Sequence, residues 1–98
     1  MKKFNDQEIE LSLKTLKDWA YRDGFIEKEF IFKDFKEAIA FMVKVGFEAE
    51  LLDHHPDWCN VYNMVKIKLQ THFMNGISDK DFTLAHKIEE MLGNPAIQ

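Results

Sequence analysis

The apolar positions change period several times along the chain, and each change marks a predicted element. After a polar stretch over residues 1–11, Ser12 precedes LKTLKDWA, where Leu13, Leu16 and Ala20 fall on one side of a short helix. Asp6 offers an earlier start for the same helix. WAYR and FIEKEFIF then read as two extended runs joined by Asp23-Gly24, the pair that suits a type I′ hairpin turn. In the second run Ile26, Phe30 and Phe32 share an inward parity, while Phe25 and Ile31 point the other way. Lys28 interrupts the inward row, which predicts an edge strand or a partly open face.

Asp34 caps the predicted long helix FKEAIAFMVKVGFEAELL. Phe35, Ala38, Ile39, Met42, Gly46 and Ala49 form one stripe, with Phe41, Val43, Val45, Phe47 and Leu51 largely off it. A helix this apolar around its girth calls for burial on two sides. One side is the sheet; the other is a second subunit or, alternatively, the first helix. Gly46, costly in a helix by roughly 1 kcal/mol, fits close helix packing.

Pro56 ends that helix and pushes His55 toward extended geometry. Trp58 to Tyr62 is a candidate strand whose alternation Asn60 and Asn63 loosen. From Val65 the alternation is regular: Val65, Ile67, Leu69 and Thr71 on one face, Lys66, Lys68, Gln70 and His72 on the other. FMNG reads as a loop. Ser78 and Asp81 form a capping box for a last helix with Leu84, Ala85, Ile88 and Leu92 as its stripe. Gly93 stops that helix, with Pro95 beyond. The order α-β-β-α-β-β-α predicts an α+β fold in two layers, with a four-stranded, mainly antiparallel sheet and helices on one face. Residues 1–11 are expected to be a flexible segment and residues 12–98 a single domain.

Composition narrows the function classes. The 98 residues carry a net charge of −4 with basic and acidic groups interspersed, a poor surface for a phosphate backbone. Apolar content of 46%, including nine Phe, supplies a core rather than a disordered chain. A lone cysteine, Cys59, excludes an internal disulfide and points to a cytoplasmic setting, with Cys59 itself read as a small buried group. No stretch suits a signal peptide or a membrane span.

The chemistry concentrates in Asp53–His72, DHHPDWCNVYNMVKIKLQTH. Histidine moves protons near neutral pH, and Pro56 stiffens the turn that carries His54 and His55. His72 reaches them if that turn folds over the sheet. Read from residues alone, the three form an acid–base cluster, a zinc site, or turn and interface histidines. Adjacent histidines seldom converge on one ion, and HHP lacks the usual metal-clip spacing. His86 reads as a packing residue, and Glu89-Glu90 as a solvated helix face.

This stretch resembles the signature of the pterin-4a-carbinolamine dehydratases, close to HHPxWxNxYNxVxIxLxTH. His54, His55, Pro56, Trp58, Asn60, Tyr62, Asn63, Val65, Ile67, Leu69, Thr71 and His72 match it. Further matches, from Trp19 and Asp23-Gly24 to Gly76, Asp81 and Ala85, extend the resemblance over roughly residues 12–92. It implies dehydration of 4a-hydroxytetrahydrobiopterin to quinonoid dihydrobiopterin, with His54, His55 and His72 catalytic and no metal or cofactor. It also implies substrate contacts at Trp58 and Asp81, and a homodimer or homotetramer built through helices. Some family members stabilise a transcription factor's dimer, so a non-enzymatic role as a dimerisation module is the alternative. Two positions depart from the pattern: Leu51 stands where the family often has lysine, and Asn75 replaces a small residue before Gly76.

Overall fold

The computed structural model describes residues 1–94; Pro95, expected beyond the last helix, lies outside them. The elements are α1 (Asp6–Leu13), β1 (Ala20–Arg22), β2 (Phe25–Ile31), α2 (Phe35–Leu52), β3 (Asp57–Val61), β4 (Met64–Leu69) and α3 (Asp79–Met91), with a 3-10 turn at His72–Met74. The sheet order is β1-β2-β4-β3, antiparallel throughout, with the helices packed on one face. This is the α+β architecture and element order that the periodicity predicts.

The first helix begins at Asp6, the earlier of the two predicted starts, rather than after Ser12, and occupies much of the stretch assigned to a flexible segment. Asn5 accepts from the Glu8 amide at 2.8 Å while the Glu8 carboxylate accepts from the Asn5 amide at 2.9 Å. This reciprocal box satisfies two otherwise unpaired amides, so it sets the helix start ahead of Ser12. The Asn5 amide, together with the Lys2 ammonium, holds the Glu8 carboxyl below its ordinary range. Its contribution is therefore full above the unfolded carboxylate value and is lost as pH falls through the folded one. Ile9 is buried, and Phe4 stacks on Phe82 at 5.9 Å. Beyond Leu13 the chain tightens into three-residue turns that carry Leu16 into the core.

Asp23 and Gly24 both have positive φ, 54° and 84°, as a type I′ turn requires. Ile26, Phe30, Val65, Ile67 and Leu69 face the helices and are buried. Trp19, Phe30, Phe32 and Phe41 form an aromatic cluster with ring centroids 4.8–6.5 Å apart. Asn60 and Asn63, which interrupt the alternation of the strand, tie down its turn. Asn60 donates to the carbonyls of Tyr62 and Met64, and Asn63 donates to that of Phe32.

Two polar readings are corrected. Lys28 marks neither an edge nor an open face, because β2 lies inside the sheet between β1 and β4. Its ammonium instead bonds Glu89 at 2.8 Å, and the Trp19 indole donates to the same carboxylate oxygen at 2.9 Å. Glu89 is accordingly buried rather than solvated, unlike its exposed neighbour Glu90. Cys59 is exposed, since its register opposite Lys66 turns it away from the Ile67 row.

The buried stripe of the long helix α2 shares only Ala38 and Ala49 with the predicted one. Ala38, Phe41, Val45 and Ala49 are buried, whereas Phe35, Ile39, Val43, Phe47 and Leu51 are exposed at regular four-residue spacing. The aromatic cluster decides this phase by drawing Phe41 inward. The first helix does not cover the outer stripe. Among the described residues no helix is long and apolar enough to cross a membrane.

Removing one member of a buried ion pair strands the other in a low-dielectric site. Glu89→Ala strands both the Lys28 ammonium and the Trp19 indole, and is expected to lower unfolding stability by about 3 kcal/mol. Lys28→Met leaves the indole bond intact and should cost clearly less; urea denaturation of both variants checks the order.

Candidate active site

Helix α2 ends in a left-handed residue, Asp53, with φ 50°. The His54 amide reaches back to the Ala49 carbonyl at 2.9 Å, closing the helix end in a Schellman-type turn. This reversal sends the next two side chains in opposite directions. The His54 side chain goes inward and is 8% exposed, whereas the His55 side chain remains 57% exposed. Pro56 then hands the chain to β3, as its fixed φ favours.

Beneath His54 lies Asp81, fully buried at the start of α3. Its Oδ1 meets His54 Nε2 at 2.6 Å, and its Oδ2 accepts from the Thr71 hydroxyl and the Ser78 amide, each at 2.9 Å. Thr71 and Ser78 are themselves linked at 2.6 Å between hydroxyls. An ionised carboxylate only accepts, so the hydrogen on this bond belongs to His54 Nε2. The capping box predicted for Ser78 and Asp81 is present, but the same carboxylate also anchors a histidine.

His55 turns back over the helix end, where its Nε2 lies 2.8 Å from Glu50 Oε1. His72 does not end a strand. β4 stops at Leu69, and His72 opens the 3-10 turn, pinned by the Thr71–Gly76 bridge. Asn75 closes that turn in left-handed geometry (φ 47°), a conformation that asparagine tolerates better than most residues. His72 Nδ1 is 3.1 Å from Gln70 Oε1, its Nε2 is 3.8 Å from Asp57 Oδ1, and its ring meets Phe25 edge-on at 6.3 Å.

His54, His55 and His72 line one open cleft of about 500 Å³. Asp53, Asp57, Gln70, Phe73 and Lys80 contribute to the same wall. Asp81 acts from behind it, through His54. Trp58 is not among the lining residues: it pairs with Ile67 and so faces the helix side of the sheet, opposite in parity to Asp57. Glu50, Gln70 and Lys80 were not singled out as site residues from the sequence. Glu50 was legible only as a carboxylate one turn before the histidines, and Gln70 only as a polar member of the outward row of β4. Among the described residues no three His, Cys, Asp or Glu side chains come together to hold a metal ion.

Asp81→Ala would leave the Thr71 hydroxyl, the Ser78 amide and the His54 ring without their shared acceptor. A loss of about 3 kcal/mol is expected, with a smaller loss for Asp81→Asn, which keeps part of the acceptor set. Chemical denaturation of the two variants side by side measures the difference.

Comparison with known proteins identifies the family. The family model for pterin 4 alpha carbinolamine dehydratase matches residues 2–91. A protein of Sulfurisphaera tokodaii named for pterin-4-alpha-carbinolamine dehydratase is 47% identical over 92 residues, covering 94% of this chain and 99% of its own. One from Christiangramia forsetii, named likewise, is 42% identical over 92 residues, covering 94% and 95%. The crystal structure of a transcriptional coactivator/pterin dehydratase from Brucella melitensis superposes with a TM-score of 0.89 at 37% identity, covering 92% of this chain and 98% of that one. A pterin dehydratase-like RuBisCO assembly factor of the alpha-carboxysome shares the fold, with a TM-score of 0.64 at 17% identity over 78% of this chain and 88% of its own. With the family model spanning nearly the whole chain and such relatives on both sequence and structure, the chain belongs to the pterin 4 alpha carbinolamine dehydratase family.

Proposed function

We propose that the protein removes water from 4a-hydroxytetrahydrobiopterin, giving quinonoid dihydrobiopterin, by histidine acid–base catalysis. The observation that carries this reading is the meeting of His54, His55 and His72 at one cleft large enough for a bicyclic heterocycle. The 4a-hydroxyl leaves poorly as hydroxide. A protonated histidine gives it a proton, the C4a–O bond breaks with its electron pair, and water departs. The N5–H bond supplies the electron pair for the new C4a=N5 double bond, and a neutral histidine takes the N5 proton.

His55 serves as the acid at the hydroxyl and His72 assists as the base, both being accessible side chains with half or more of their surface open. Glu50 accepts from His55 Nε2, which orients that ring over the cleft. His54 is held by Asp81 and binds the pterin edge. Each proton transfer contributes roughly 100-fold. His55→Ala should therefore reduce the dehydration rate of freshly generated 4a-hydroxy-tetrahydropterin by about 10²-fold, and His55→Ala/His72→Ala should bring it near the uncatalysed rate. Circular dichroism should show both variants folded, since the two side chains are exposed. Unchanged turnover in the double variant would sink the mechanism. This chemistry and the lone cysteine suit a reducing, cytoplasmic setting.

The exposed stripe Phe35, Ile39, Val43, Phe47 and Leu51 supports a homo-oligomer joined through α2. Leu51, the departure from the family's common lysine, extends that stripe by one turn, and a second copy of the same helix offers the matching surface. Phe47→Glu/Leu51→Glu is expected to reduce the mass measured by light scattering. An unchanged mass, or a native protein that is already monomeric, would rule out this interface.

A further inference from the structure

Gln70 stands just past β4, and its amide is held at both ends. Nε2 donates to the Gly24 carbonyl at 3.0 Å, and Oε1 lies 3.1 Å from His72 Nδ1. These two bonds settle the amide's orientation. A carbonyl oxygen such as that of Gly24 can only accept, so the NH2 end of Gln70 must face it. Oε1 is then the end that faces His72, and Oε1 also only accepts. The hydrogen between them therefore sits on His72 Nδ1.

We propose that Gln70 is a positioning residue that locks neutral His72 as the Nδ1–H tautomer, making Nε2 the atom that receives the proton. Nε2 is left beside Asp57 at 3.8 Å, beyond hydrogen-bond length, and among the described residues it has no hydrogen-bond partner. A ring of the opposite tautomer would present N–H where a base needs a lone pair. Free histidine favours the Nε2–H form, so the preference must come from the protein, and Gln70 supplies it.

The anchor is well placed for this task. Gly24 belongs to the type I′ turn between β1 and β2, a rigid feature with both central residues at positive φ. A side chain added at Gly24 would come within 3.1 Å of Gln70 Nε2, so this backbone lies directly against the amide. Phe25, the next residue, packs its ring against His72. The hairpin thus fixes the His72 ring twice, by the edge-on contact of Phe25 and by the relay through Gln70. His72 rotation is further limited by the 3-10 turn that it opens.

The catalytic benefit rests on the dehydratase reading, but the tautomer does not, and the test keeps the two apart. Two-dimensional NMR correlating ring nitrogens with ring carbon-bound protons distinguishes the tautomers without substrate; the His72 signals are identified by their loss in His72→Ala. In the native protein at a pH where the ring is neutral, Nδ1 is expected to carry the hydrogen. Gln70→Leu should shift His72 toward the Nε2–H form, with a fall in kcat of roughly 10-fold or more and little change in KM. Gln70→Glu keeps an acceptor for Nδ1–H and should retain the native tautomer and restore much of the rate. A native His72 in the Nε2–H form, or a tautomer unchanged in Gln70→Leu, would overturn the proposal. Native tautomer control in a protein that does not accelerate dehydration would instead remove the dehydratase reading and leave the role of Gln70 standing.

Discussion

The buried carboxylate of Asp81 is the constraint on which the site depends. It completes the start of α3 through the Ser78 amide, holds the segment after β4 through the Thr71 hydroxyl, and fixes His54 after α2. Three connections that are distant in sequence therefore share one acceptor group. A buried carboxylate is costly unless its lone pairs are used, and here both oxygens are engaged. The result is a stiff floor from which the more exposed histidines can work. Rigid support matters for the proposed dehydration because proton transfer loses efficiency when donor and acceptor stray by even an ångström.

A second buried carboxylate, Glu89, does a separate job at the far end of the same helix. It receives Lys28 and Trp19 and, through its other oxygen, the Asn94 amide at 3.0 Å. Helix α3 is thus pinned at its start to the site and near its end to the sheet. Apolar burial supplies the bulk of the attraction, but it is non-directional. The two carboxylates add the directional contacts that set where α3 lies, and hence where Asp81 meets His54.

Much of this was legible in the sequence because strict alternation and cap residues are local signals. The Asp23-Gly24 turn, the Val65–Leu69 row and the Ser78–Asp81 box all lie where their patterns place them. The histidine signature also identified the three rings that meet at the cleft. What local pattern could not convey were choices made between distant elements. Lys28 looked like an edge residue because its partner lies 61 positions away. The buried phase of α2 depended on Phe41 joining Phe30 and Phe32, so a stripe counted within the helix alone caught Ala38 and Ala49 but missed Phe41 and Val45. Trp58, where the resemblance implies a substrate contact, is turned to the other face by its register with Ile67. The start of α1 at Asp6, legible as the alternative to Ser12, is fixed by the reciprocal box of Asn5 and Glu8.

The two adjacent histidines show how one backbone feature separates roles. Had α2 simply continued, His54 and His55 would project about 100° apart from a single helical surface. The left-handed Asp53 instead reverses the chain, so one ring is buried against Asp81 and the other remains open beside Glu50. Both rings engage a carboxylate through Nε2, yet in different surroundings: one bond is buried and shielded from water, the other exposed to solvent. The buried bond keeps its strength because little water competes for it, whereas the exposed one is weakened by screening and easily remade. His54 is therefore held in a fixed orientation, whereas the His55 contact is readily exchanged with solvent. The third ring, His72, is held through Nδ1 by a neutral amide, so its ring geometry mirrors that of the other two. A site with two histidines tethered at Nε2 and one at Nδ1 presents non-equivalent nitrogens to the cleft, an asymmetry that suits the proposed giving of one proton and taking of another.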